Sequence, residues 1–273
     1  MPPLFFPLYY QLLQTYNPSN YSYSPPPTVI NVEISSTLPQ ILSQNTTFSL
    51  PPIGGEGKIV SLALLGDSMI DTLSDDICQN SLRKYFPATK FNLLKYGYGS
   101  TTIESAMQRL TEKTTYLDKE NPALLSLSPD IIVIESFAYN NFGNSQKGIE
   151  KHQKLLQEII DLIEEKSPSS KIVLASTIAP NSISYASGIK DVHFSALEKI
   201  EKTGTIKLYL QNLISFAKKN NLPLADAFSP SLFGDNGASE YIDSVDKLHP
   251  SNLGTELFCD TLAKSLKDNG LTN

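Results

Sequence analysis

Ile59-Val60-Ser61-Leu62-Ala63-Leu64-Leu65-Gly66-Asp67-Ser68 is the stretch on which the reading of this chain turns. The first seven residues form a near-continuous apolar run, closed by a glycine and two small polar residues. A run of that length ending in a turn suits a strand covered on both faces. A helical pattern follows at once, so Gly66-Asp67-Ser68 falls on a strand-to-helix connection, with two residues between the strand and Ser68.

The same alternation repeats from Lys58 to the C-terminus. Strands are expected at 59–65, 91–96, 131–135, 172–176 and 222–225. Helices are expected at 70–85, 102–117, 146–166, 192–220 with a break near Gly204, and 252–267. In the third helix Leu155, Ile159, Leu162 and Ile163 recur at helical spacing, which predicts a core face and no special chemistry. Strands alternating with helices predict an α/β fold, a three-layer α/β/α sandwich around a five-stranded parallel sheet in the flavodoxin-like order 2-1-3-4-5. Such sheets bind ligands outside the carboxyl ends of their strands, beside strand one. Ser68, Gly99, Asn140 and the loop leading to His249 all fall on that edge.

Near the C-terminus stands Asp246-Lys247-Leu248-His249-Pro250. A serine hydroxyl is a poor nucleophile at neutral pH and needs an imidazole to take its proton and a carboxylate to hold the imidazole's tautomer. Ser68, Asp246 and His249 supply the three groups. Asp246, three residues before His249, can reach Nδ1 and leave Nε2 to face the serine; Asp243 is the reserve. Asp67 reads as a structural residue that holds the turn, because a carboxylate beside the nucleophile would repel an oxyanion. The other histidines are set aside: His152 lies in a charged helical stretch that suggests a solvated face, and Asp191-Val192-His193 suggests a helix N-cap.

These motifs resemble the SGNH (GDSL) hydrolase family, marked by Gly-Asp-Ser after the first strand and Asp-x-x-His near the end. Gly97-Tyr98-Gly99-Ser100-Thr101-Thr102 is similar to the family's second block, one residue shorter, and Tyr139-Asn140-Asn141 matches the third loosely, without its usual glycine. The resemblance covers roughly residues 59 to 269. It implies an oxyanion hole made by the backbone amides of Ser68 and Gly99 and the side-chain amide of Asn140, with Asn141 as an alternative to Asn140. Gly99 is preferred to Gly97 because it directly precedes the hydroxyl residues, as the family glycine does. The resemblance also implies carboxylic-ester chemistry through a covalent acyl-enzyme, in a family that includes carbohydrate O-acetyl esterases, lysophospholipases, thioesterases and acyltransferases.

Composition narrows the alternatives. A net charge of -6 and no Lys/Arg cluster argue against a nucleic-acid partner. There is no Gly-x-Ser-x-Gly elbow around Ser68, no phosphate-cradling loop and no Cys/His group with zinc spacing, so the expectation is a metal-independent enzyme without a cofactor. Cys78 and Cys259 are read as buried apolar fillers, too few and too far apart in sequence for a disulfide scaffold.

Residues 1–57 differ from the rest. They hold ten of the 18 prolines and five of the 13 tyrosines, no Lys or Arg, and only Glu33 and Glu56 as acids. They are read as an extension, with Pro25-Pro26-Pro27 and Pro51-Pro52 as extended connectors around a strand at 29–35, ahead of a hydrolase domain at 58–273. The apolar run at 4–13 is shorter than the roughly 20 residues a spanning helix needs and lacks a basic flank. It is either the end of an export or anchor segment or a stretch that packs on the domain. The sequence leaves the compartment open, an extracytoplasmic or cell-surface location being slightly favoured over a cytoplasmic one, and membrane association has no spanning segment behind it.

The reading that unites these features is a serine esterase acting on a small-molecule or carbohydrate ester. Loops at 136–145, 178–191 and 228–243, rich in Asn, Ser, Tyr and Phe, lean toward an O-acetylated sugar. An O-acyltransferase with the same triad and a non-catalytic glycan-binding module are the alternatives.

Overall fold

The computed structural model describes residues 58–272. The expectations for residues 1–57 lie outside the described residues. Five parallel strands make the sheet: β1 (Ile59–Gly66), β2 (Lys90–Gly97), β5 (Ile131–Glu135), β6 (Lys171–Ser176) and β7 (Leu224–Asp226), ordered β2-β1-β5-β6-β7. Two small antiparallel hairpins stand apart from it, β3 (Thr114–Tyr116) with β4 (Lys119–Asn121), and β8 (Leu232–Phe233) with β9 (Asn236–Gly237). Counting only the sheet strands, the order is the expected 2-1-3-4-5.

The apolar runs explain the layers. Successive side chains on a strand point to opposite faces. On β1, Val60, Leu62 and Leu64 meet α2 (Asp75–Tyr85) and α6 (Asn252–Asp268) through Cys78, Leu82, Phe258 and Leu262. Ala63 and Leu65 point the other way, into a core with Ile103, Leu110, Leu156, Ile159 and Leu213. That second layer is built by α3 (Glu104–Thr111), α4 (Gln146–Lys166) and α5 (Ala196–Lys219). The same division holds for Ile131 and Val133 against Ile132 and Ile134, and for Val173 and Ala175 against Ile172 and Leu174.

Several local expectations are corrected. The helix expected at 70–85 is two pieces, the single turn α1 (Ser68–Asp71) and α2, because the Ser74 hydroxyl accepts from the Ile77 amide and opens a new helix. The helix expected at 102–117 stops at Thr111; Thr114-Thr115-Tyr116 instead forms a strand, and Leu117 and Asp118 with positive φ make the two-residue turn of a hairpin. The expected break at Gly204 is absent. Helix α5 runs through it, held by a capping box between Ser195 and Glu198 and by a buried face of Ile206, Tyr209, Leu210, Leu213 and Ile214, which outweighs the ~1 kcal/mol cost of an interior glycine. The N-cap is thus Ser195, and Asp191-Val192-His193 lies before it.

The cysteines are also corrected. Cys78 of α2 and Cys259 of α6 are buried, as expected, but they are joined in a disulfide, with Cα atoms 5.0 Å apart across 181 residues of sequence. Sequence separation is no guide here, since the first and last large helices of this topology pack on the same face of the sheet. Among the described residues no helix is long and apolar enough to cross a membrane.

Candidate active site

The site is built where β1 and β2 end side by side. Gly66 pairs with Gly97 in the parallel register, and α1 lies directly across both. A Cβ on Gly66 would fall 2.3 Å from Ile70 Cγ1, and one on Gly97 would fall 2.4 Å from the Asp71 nitrogen. Both contacts are too close for any side chain, so glycine at the two strand ends lets the Asp67-Ser68 turn rest on the sheet edge.

Asp67 is fully buried and caps α1. Its carboxylate accepts from the Met69 amide at 2.9 Å and from Asn140 Nδ2 at 2.9 Å. Burial pushes its carboxyl above the ordinary carboxylate range, opposed by those two donors and, to a smaller extent, by the nearby His249 and Arg109 side chains. The turn-holding part read from the sequence is what the side chain performs. It also ties Asn140, in the 3-10 turn Ala138–Asn140 after β5, to the β1 turn. Asn141 does not join them: its side chain closes its own loop on the Ala138 carbonyl and the Gly143 amide.

Ser68 is the first residue of α1, partly exposed. The helix α1 that Ser68 opens is only one turn long, so no long-helix dipole stands behind the hydroxyl. Gly99 is its neighbour, since a Cβ there would lie 3.8 Å from Ser68 Cβ. The Gly99 amide donates to the Tyr116 hydroxyl at 2.9 Å.

His249 arrives on the loop between β9 and α6. Its Nδ1 donates to Asp246 Oδ2 at 2.7 Å, while Asp246 Oδ1 accepts from the Leu248 and His249 amides at 2.8 and 3.0 Å. Partial burial raises the Asp246 carboxyl, but the His249 side chain and these two amides outweigh it and hold the group below its ordinary value. Asp243 is occupied elsewhere, its Oδ1 accepting from the Val245 and Asp246 amides. His249 Nε2 is buried and has no hydrogen-bond partner. An apolar cluster of Met69, Ile178 and Ile242, with Tyr139 and Tyr241 against it, draws the Ser68 turn and the histidine loop together.

Beneath the site lies a charged group that sequence reasoning missed. Arg109 is buried and donates through Nη1 to the carbonyls of Gly66 and Tyr96, with its guanidinium 4.7 Å from the Tyr98 ring centre and 5.4 Å from that of Phe137. Glu135, the last residue of β5, is wholly buried, shares a hydrogen bond with Ser136 Oγ and accepts from the Phe137 amide at 2.8 Å. Burial first, and then the charge of Asp67, push its carboxyl up to about 8. The signal was available, since Glu135 ends a run of four apolar residues and an acid there faces the interior. His152, expected on a solvated face, is instead buried, with Nε2 donating to the Ser136 carbonyl at 2.8 Å and its ring edge-on to Tyr209. Among the described residues no group of His, Cys, Asp or Glu is arranged to hold a metal ion.

A Gly-Asp-Ser turn after the first strand of an α/β/α sandwich, followed after the last sheet strand by an Asp-x-x-His pair, is the pattern of the SGNH class of hydrolases; no hydrogen bond joins Ser68 Oγ to His249 Nε2. The model of the GDSL-like Lipase/Acylhydrolase family matches residues 64–257, and the chain belongs to that family. Membership implies ester hydrolase chemistry. The fold is similar to that of a lipase/acylhydrolase from Enterococcus faecalis, at 18% identity and a TM-score of 0.54 over 77% of this chain and 96% of that one. An acetyl xylan esterase matches at 18% identity and a TM-score of 0.52, over 76% of this chain and 100% of that one. A catalytic mutant of an acetylxylan esterase from Geobacillus stearothermophilus matches at 12% identity and 0.51, over 77% and 95%. No curated protein sequence matches the chain.

Proposed function

We propose that the protein hydrolyses carboxylic esters with Ser68 as nucleophile, His249 as general base and Asp246 as the acid that orients it. The observation that carries the reading is the state of His249. Its Nδ1–H is committed to Asp246, so Nε2 is the proton acceptor, and that nitrogen is buried without a partner. A buried polar atom left unpaired calls for an explanation, and a base awaiting a proton supplies one. In the first half-reaction Ser68 Oγ passes its proton to Nε2 and bonds to the acyl carbon, and the carbonyl π pair moves onto oxygen. The tetrahedral oxyanion is met by the Ser68 and Gly99 amides and by the second N–H of Asn140 Nδ2, whose first is spent on Asp67. Collapse expels the alcohol, which takes the proton from Nε2. Water, deprotonated by the same nitrogen, then releases the acid and restores Ser68.

An O-acetylated carbohydrate is the substrate class we favour. Tyr139 and Tyr241, packed on Met69 beside Ser68, offer aromatic faces of the kind that stack on sugar rings. Two proteins of similar fold are named as acetyl xylan esterases. We assign catalysis to the domain at 58–273 and place the protein in an oxidising, extracytoplasmic setting, a placement supported by the Cys78–Cys259 disulfide.

The test is Ser68→Ala against the parent protein on p-nitrophenyl esters of increasing chain length, run beside acetylated sugars. Turnover should drop by at least about 10³-fold with thermal unfolding unchanged, since a partly exposed hydroxyl adds little to stability. A well-folded Ser68→Ala protein that still hydrolyses esters overturns the mechanism; preference for long acyl chains overturns the substrate class.

A further inference from the structure

The Gly99 amide already holds an oxygen. Tyr116 Oη sits 2.9 Å from it and donates its own proton to Asp71 Oδ2 at 2.6 Å. An oxyanion donor should lie about 2.7 to 3.1 Å from the oxygen it will stabilise. The phenol oxygen therefore lies where a substrate oxygen bound to Gly99 would have to lie, and the two cannot share the place. With its single proton committed to Asp71, the phenol has none to offer an oxyanion.

The segment that carries Tyr116 is suited to move. Strands β3 and β4 are three residues each and belong to no larger sheet, and a lone two-stranded hairpin is marginal at best in water. Leu117 at its turn is 77% exposed. The C-terminal base is anchored where Tyr96 Oη donates to the Pro122 carbonyl at 2.7 Å. Otherwise the hairpin is held to the domain by the Tyr116 hydroxyl, by a 2.8 Å hydrogen bond between Tyr98 Oη and Thr114 Oγ1, and by stacking of Tyr116 on Tyr98 at 4.4 Å with planes 7° apart.

We infer that Tyr116 fills the oxyanion position of the resting site and that ester substrates bind by displacing it, so that the β3–β4 hairpin is a gate and Tyr116 sets which substrates open it. The inference rests on the assignment of Gly99 as an oxyanion donor in the proposed mechanism. A substrate that binds only the open form has its apparent affinity reduced by the open fraction. Substrates whose alcohol part takes over the stacking face of Tyr98 recover most of that loss.

The experiment is Tyr116→Phe, which keeps the ring and its stacking and removes the oxygen. With both hydroxyl bonds gone the open fraction rises, and KM for p-nitrophenyl acetate should fall about three- to tenfold with kcat unchanged or higher. The rate of Ser68 labelling by a fluorophosphonate should rise by the same factor. Asp71→Ala, which leaves the ring and removes only the acceptor, should shift both in the same direction by less, and it serves if Tyr116→Phe does not fold. Unchanged KM and labelling in the folded variants would overturn the gate. So would a fall in kcat of tenfold or more in Tyr116→Phe, which would make the phenol an oxyanion donor. Ser68→Ala in the same series separates the two levels. If the parent is labelled and Ser68→Ala is not, a negative result at Tyr116 sinks the gate alone; if the parent neither labels nor hydrolyses, the serine mechanism and the gate fall together.

Discussion

Replacing Glu135 by glutamine tests the buried charge group under the site. The wholly buried Glu135 carboxyl is held at about 8 against an ordinary 4.5, by burial and then by the charge of Asp67. Between those values the folded protein keeps a proton that the unfolded chain has shed. Stability from this group is fully present below pH 4.5 and is lost as pH rises through 8, with a slope of at most about 1.4 kcal/mol per pH unit. The whole shift corresponds to an upper bound of about 5 kcal/mol. In Glu135→Gln the new side chain copies the protonated form, with its amide donating toward Ser136 Oγ and its oxygen accepting from the Phe137 amide, and it cannot ionise. Asp67, also raised by burial, feels the Glu135 charge in turn, so the comparison reads the buried pair, of which Glu135→Gln removes one ionisable member. Urea unfolding at pH 5, 6, 7 and 8 should therefore show glutamine gaining on glutamate by about 2 to 4 kcal/mol across the series. Parallel pH profiles for the two proteins would refute the assignment of a protonated Glu135.

Two further expectations concern the acid partner and the disulfide. Asp246→Asn leaves the two backbone amides an acceptor but turns an N–H toward His249 Nδ1, so kcat should fall by roughly 10²- to 10⁴-fold, whereas Asp243→Asn should stay within about threefold. The reverse ranking of the two variants on p-nitrophenyl acetate would move the acid to Asp243. Opening the disulfide, which closes a 181-residue separation, should destabilise by about 2 to 5 kcal/mol, read as a lower Tm with reductant. Two thiols titrating in unreduced, denatured protein would rule the bond out.

The sheet was legible because its strands are buried on both faces and so appear as apolar runs bounded by turns. Each of the five lies within two residues of its expected bounds. The hairpin at Thr114–Tyr116 was not legible, because three residues after a helical pattern carry too short a period to separate from the helix. In the site, Asp246 and His249 could be paired from their spacing, since three residues of chain fix their reach. Arg109 and His152 could not, because each lies on a helix that also carries exposed charged residues, and only the third dimension distinguishes the buried face; Glu135, closing four apolar residues of a fully buried strand, left a signal that the reading passed over. Cys78 and Cys259 failed for a related reason: their proximity is a property of two helices packing on one face of the sheet.

The Cys78–Cys259 bond makes most of the domain a covalent ring. Residues 78 to 259 lie within it, and with them Gly99, Asn140, Asp246 and His249. A single cut in any loop of that ring leaves the pieces attached to one another. Ser68 is outside, on the arm that enters from the N-terminal side, so its attachment to the rest of the site is by noncovalent contact and by the chain to Cys78. What fixes its position is β1, threaded between β2 and β5, with the two glycines on which its turn rests. The nucleophile is held by the centre of the sheet, its partners by the ring around it.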